Sequence, residues 1–93
     1  MGTVKRSRRD PTHEDAEGDV DVYEREVETG EDGEARTMFR YDREFDEEPR
    51  ILVSSSAGIA EWSGRGTSQV SVTVRDAPAD ANVVVTVLAN GPR

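Results

Sequence analysis

Val70-Ser71-Val72-Thr73-Val74-Arg75-Asp76-Ala77-Pro78-Ala79-Asp80-Ala81-Asn82-Val83-Val84-Val85-Thr86-Val87-Leu88 decides the fold of this chain. Val70, Val72 and Val74 alternate with Ser71, Thr73 and Arg75, the period-two pattern of a strand with one buried face. Asn82 to Leu88 is Val-rich on both parities, so it is expected to be central in a sheet or to form an interface. Nearly every apolar residue between 68 and 88 is β-branched, which argues against a helix. Ala77 to Ala81 carries the Pro and Asp that connect the two strands.

The same period runs upstream. Thr37, Phe39, Tyr41 and Phe45 share one parity, opposite Met38, Arg40, Asp42 and Glu44. Val20 to Val27 reads as a strand with broken alternation: Val20 and Val22 take one parity, Tyr23 and Val27 the other. A bulge between them is expected. Gly30-Glu31-Asp32-Gly33 supplies the turn chemistry between these two strands, so they are expected to form an acidic hairpin. Ile51 to Ser55 reads as a short strand after Pro49. Ala57 to Thr67, with Gly58, Gly64 and Gly66, reads as an exposed loop. The pattern predicts an all-β chain: a small antiparallel β-sandwich of five to six strands over 19–93. An extended charged N-terminal arm over 1–18 precedes it. Within the arm, Asp10-Pro11 is suited to start a short helical turn that Gly18 would end.

Ninety-three residues with 33% apolar content make one small domain with a thin core. There is no cysteine to staple it, and His13 is the only histidine. Oligomerisation is the usual remedy left to such a core. Val83-Val84-Val85 is as long as any apolar run, so no transmembrane helix is expected. No secretory leader is expected either. Lys5 is the only lysine, beside eleven arginines and twenty acids. In composition the chain resembles haloarchaeal proteins, whose high-salt surroundings screen a net charge of -8. The charge is segmented: +4 over 1–9, -12 over 10–50 and zero over 51–93. The neutral, Val-rich last segment is expected to hold the buried strands and a subunit interface.

The stretch Phe45-Asp46-Glu47-Glu48-Pro49-Arg50-Ile51-Leu52-Val53-Ser54 resembles the H-type lectin pattern Phe-x-x-Pro-Pro-x-Val. Glu48 stands at the first proline and Ile51 at the valine. Val70 to Val74 and Val83 to Val87 are similar to that family's closing strands. Ala81-Asn82 replaces the Gly-Phe pair usual before the last strand. The resemblance spans roughly 37–89. It implies a six-stranded antiparallel sandwich that assembles into trimers or paired trimers, in secreted lectins and in viral tail and fibre proteins. No sugar-contacting residue carries over.

No catalytic constellation is present: His13 has no cysteine or positioned serine near it in sequence, so the chain reads as non-enzymatic. No cofactor is implied. Asp42, Glu44, Asp46, Glu47 and Glu48 are read as outward-facing acids rather than a metal site. Lys5, Arg6, Arg8 and Arg9 form the only basic cluster, read as a partner-anchoring arm. Four phosphate contacts would be weak in molar salt, so a protein partner is preferred over nucleic acid. Trp62, with Arg65 three residues on, reads either as a possible binding loop or as a lid on the core. The expected role is a structural subunit of a homo-oligomer contacting neighbouring structural proteins. Most concretely, it is a capsid turret, decoration or tail component of a haloarchaeal virion, assembled in the host cytoplasm. The alternative is a lectin-like module binding cell-surface glycans.

Overall fold

The computed structural model describes residues 19–93. The arm over 1–18, with its Asp10-Pro11 turn, His13 and the Lys5, Arg6, Arg8 and Arg9 cluster, lies outside the described residues. Six strands follow: β1 (Asp19–Glu28), β2 (Ala35–Arg40), β3 (Arg50–Ser55), β4 (Ile59–Ser63), β5 (Gln69–Arg75) and β6 (Asn82–Gly91). They form two three-stranded antiparallel sheets, ordered β1-β6-β3 and β2-β5-β4. The chain is all-β, a small antiparallel sandwich, and the doubly apolar β6 is central as its composition required.

The core lies between the sheets. Val83, Val85, Val87 and Ala89 from β6 face Val70, Val72 and Val74 from β5, all buried. Tyr23, Phe39, Tyr41 and Phe45 fill one side of this layer, with Tyr41 and Phe45 in edge-to-face contact at 5.1 Å. β2 ends at Arg40, yet Tyr41 and Phe45 remain buried, because the bend over 41–49 turns back onto the sandwich.

Three expectations need correction. β1 has no bulge: all ten residues pair one-for-one with β6. Its inward residues are Asp19, Asp21, Tyr23, Arg25 and Val27, so Val20 and Val22 face outward and two acids face in. The alternation is regular, and the acids are tolerated because arginines meet them. Second, β1 and β2 do not form a hairpin; they belong to different sheets, and Gly30–Gly33 carries the chain between them. This crossing is tied to the β5–β6 crossing by Thr29 N to Ala81 O (2.8 Å) and Asp80 N to Gly30 O (3.0 Å). Gly33, at φ 76°, lets the two crossings touch, since a Cβ there would lie 2.2 Å from the Ala77 carbonyl oxygen.

Third, residues 57–67 are not all loop. Ile59–Ser63 form edge strand β4, paired with β5 along its length. Only Ala60 and Trp62 of β4 share the inward parity of Val74 and Val72, so its apolar alternation is faint in sequence. β4–β5 is the one connection that stays within a sheet, closed by Gly66 N to Gln69 O at 2.9 Å.

Candidate interaction surfaces

The sandwich has two flanks, each made of one edge strand from each sheet. β1 and β2 form the first. Eight of their sixteen residues are charged: Asp19, Asp21, Glu24, Arg25, Glu26, Glu28, Arg36 and Arg40. Charged edge strands deter edge-to-edge pairing. Arg25 also closes the seam itself. It lies 4.5 Å over the Phe39 ring and donates to Thr37 Oγ1 (2.8 Å) and the Met38 carbonyl (2.7 Å).

β3 and β4 form the second flank, and it is built differently. Its eleven strand residues carry two charges, Arg50 and Glu61. Three of the four large hydrophobics exposed in the structure lie here: Leu52 (68% exposed), Ile59 (45%) and Trp62 (40%). Between the two strands runs an open groove of about 490 Å³, lined by Ile51, Leu52, Val53, Ala60, Glu61 and Trp62. The alternation of β3 places Ile51 in the core and Leu52 on the outer face. There Leu52 pairs with Leu88 of β6, which pairs in turn with Val22 of β1. An apolar row therefore leads from the groove across the outside of the first sheet. The outer face of the second sheet is polar along its length, apart from Met38 and Ile59: it presents Arg36, Arg40, Glu61, Ser63, Gln69, Ser71, Thr73 and Arg75.

The structure brings Trp62 and Arg65 together. The Arg65 guanidinium stands 5.1 Å over the indole, donates to the Pro49 carbonyl (3.3 Å) and pairs with Glu48 at 3.2 Å. Trp62 sits on an edge strand, not on a loop. Its parity points it at the core, but among the described residues no strand lies beyond β4 to cover it, so it closes the seam and remains 40% exposed. It is both lid and surface. Arg65 Nε is buried without a hydrogen-bond partner.

The five acids from Asp42 to Glu48 lie in the 41–49 bend rather than along a strand. Thr67 donates to Glu44 at 2.6 Å, and Glu48 holds Arg65. Among the described residues, no group of three or more acidic or imidazole side chains is arranged to hold a metal ion.

A third arginine seals the end of the sandwich. Arg93 Nη1 donates to Asp21 Oδ1 at 3.1 Å and Nη2 to the other carboxylate oxygen, with both side chains buried. Its guanidinium lies 3.8 Å from the Phe45 ring centre and also reaches the Arg43 carbonyl at 2.7 Å. The hydrogen bonds to Asp21 push the Arg93 pKa further up. Tyr23 donates to Asp21 at 2.9 Å. The sequence reading missed this cluster because acids at β1 positions 19 and 21 read as solvated. It missed Leu52 because Ile51-Leu52-Val53 reads as uniformly buried. Strict alternation, with 51 and 53 inward, would have placed Leu52 outside.

No protein-family model, curated protein or solved structure matches the chain.

Proposed function

We propose that the chain is a non-enzymatic structural subunit of an oligomeric assembly, most concretely a virion component of a haloarchaeal virus, in a capsid turret or decoration or in the tail. One observation carries the assembly reading: in a chain of net charge -8, one flank is guarded by charge and the other is apolar with two strand edges left open among the described residues. An acidic chain that stayed alone in brine would have no use for that asymmetry. The composition supports the high-salt setting, and the resemblance of Phe45–Ser54 to the H-type lectin pattern supports the virion setting. Lys5, Arg6, Arg8 and Arg9 are assigned to anchoring on neighbouring structural proteins.

The test is the native mass in 2–3 M salt, a range in which the Debye length falls to about 3 Å or less. An oligomer, trimeric or larger, is expected; a monodisperse monomer at every concentration would sink the reading. The second reading is a lectin-like module, favoured by the stacked, 40% exposed Trp62 beside Arg65. A glycan-array signal lost in Trp62→Ala would move the assignment to that reading.

A further inference from the structure

We propose that the β3–β4 flank is where a second copy of this chain docks, with Leu52 and Trp62 as its apolar contacts. This rests on the assembly reading above and names the surface and the partner. Charge selects the partner. A second copy brings the same net charge of -8, so copies that meet through the acidic β1 flank repel. The β3 and β4 strands carry one arginine and one glutamate, neutral in sum. Arg65 and Glu48 beside them already neutralise each other. Of the two flanks, this one meets its own copy without a like-charge penalty.

The backbone agrees with the side chains. Among the described residues, β3 pairs only with β6 and β4 only with β5, so there each keeps one unpaired ladder edge on the same flank. Another strand can add to either edge, while pockets between them accept side chains. Leu52 stands beside the groove between the edges, 68% exposed.

The size fits. Five or six residues at about 3.3 Å each give a strip roughly 18 Å long, and two sheets about 10 Å apart with their side chains make it roughly 20 Å wide. The Leu52-Leu88-Val22 row extends it by two strand spacings of about 4.8 Å. The projected patch is roughly 500–600 Å². That matches a weak interface, of about 1,200 Å² or less in total over both partners.

The test compares native mass over a concentration series in 2 M salt for the full chain and three variants. Leu52→Glu and Trp62→Glu each place a carboxylate on the flank at a position already exposed. Met38→Glu does the same on the outer face of the second sheet, at 41% exposure. The inference expects an oligomeric parent, an unchanged Met38→Glu, and self-affinity reduced at least about 100-fold in both flank variants, about 2.7 kcal/mol. Far-UV circular dichroism confirms that each variant is folded, and the two flank variants lie on different strands, so failure of one leaves the other. If the parent is oligomeric and both flank variants keep its mass, the flank is overturned while the assembly reading stands. If the parent is a monomer, both fall.

Discussion

Arg93→Ala tests whether the end of this sandwich is held by a buried ion pair. Arg93 and Asp21 are 3% and 0% exposed, and the guanidinium meets both carboxylate oxygens. Removing one partner of a buried pair costs about 3–5 kcal/mol, because the other charge stays in a low-dielectric site. The Tyr23 hydroxyl keeps donating to Asp21, which places the cost near the lower bound. Loss of the stacking on Phe45 adds about 0.5–2 kcal/mol. A total of roughly 3.5–5 kcal/mol is a large share of the 5–15 kcal/mol that holds a typical domain. At about 4–8 °C per kcal/mol for a domain of this size, Tm should fall by roughly 14–40 °C. The assay is thermal unfolding by circular dichroism at 0.1 M and 2 M salt, with Arg75→Ala as control. Arg75 pairs with Glu61 and Asp76 at the surface, so its variant should shift Tm little at low salt and not at all at high salt. The Arg93 loss should be equal at both, since salt does not screen a buried pair. Pairing Arg93→Met with Asp21→Asn should restore at least half of the loss, because no charge is then stranded. A Tm drop under about 4 °C, or one that shrinks with salt, would show that Asp21 reaches solvent and refute the reasoning.

The two tyrosines make the protein base-sensitive. Burial pushes the Tyr23 and Tyr41 phenols from 10.0 up to about 12, so folding favours their neutral form. The stability this contributes is complete below pH 10 and is lost as pH rises through about 12, roughly 2–3 kcal/mol for each group. Absorbance at 295 nm should stay flat past pH 10.5 and rise together with unfolding; a rise near pH 10 in folded protein would contradict the burial. Tyr41 carries a buried hydroxyl without a hydrogen-bond partner, so Tyr41→Phe should be neutral or stabilising, whereas Tyr23→Phe, which loses bonds to Asp21 and Asp42, should cost about 1–3 kcal/mol in urea unfolding. Gly33→Ala drives a Cβ into the Ala77 carbonyl at a positive φ, and should lower stability by at least about 2 kcal/mol; a loss under about 1 kcal/mol would mean the two crossings are not held against each other.

The fold was legible where burial and residue type agree. Val70, Val72 and Val74 announced β5 by parity, and Val83 to Leu88 announced a central strand by being apolar on both faces. It was illegible where a tertiary partner reverses a local rule. The split parity of Val20 and Val22 against Tyr23 and Val27 implied a bulge; instead Asp19 and Asp21 face inward, because the arginines that meet them lie at 43 and 93. β4 was hidden because an edge strand needs little apolar content: Ala60 and Trp62 are its only inward residues, between glycines at 58 and 64. Trp62 and Arg65 were found because they are close in sequence. Leu52 was missed because exposure depends on register, and register depends on β6.

The arginine skew bears on this directly. In composition it resembles the guanidinium preference of proteins that work in brine. In the folded chain, three arginines stack on aromatic rings at three openings of one small sandwich: Arg25 on Phe39 at the β1–β2 seam, Arg65 on Trp62 at the β3–β4 seam, and Arg93 on Phe45 at the end. Each also donates to a backbone carbonyl at that opening. A planar fork can cover a ring and reach a carbonyl at once; an ammonium, a compact point charge, cannot. A core with only two Phe, two Tyr and one Trp is therefore finished by cations rather than by more hydrocarbon. Two of the three lids are anchored well: Arg25 donates to Thr37 as well, and Arg93 lies in a buried pair. The Arg65 lid is the loosest, tied to an exposed Glu48 and keeping Nε buried without a partner, and it stands on the one flank that charge does not guard. The weakest closure and the apolar flank coincide, as expected if the seam there is finished by another molecule.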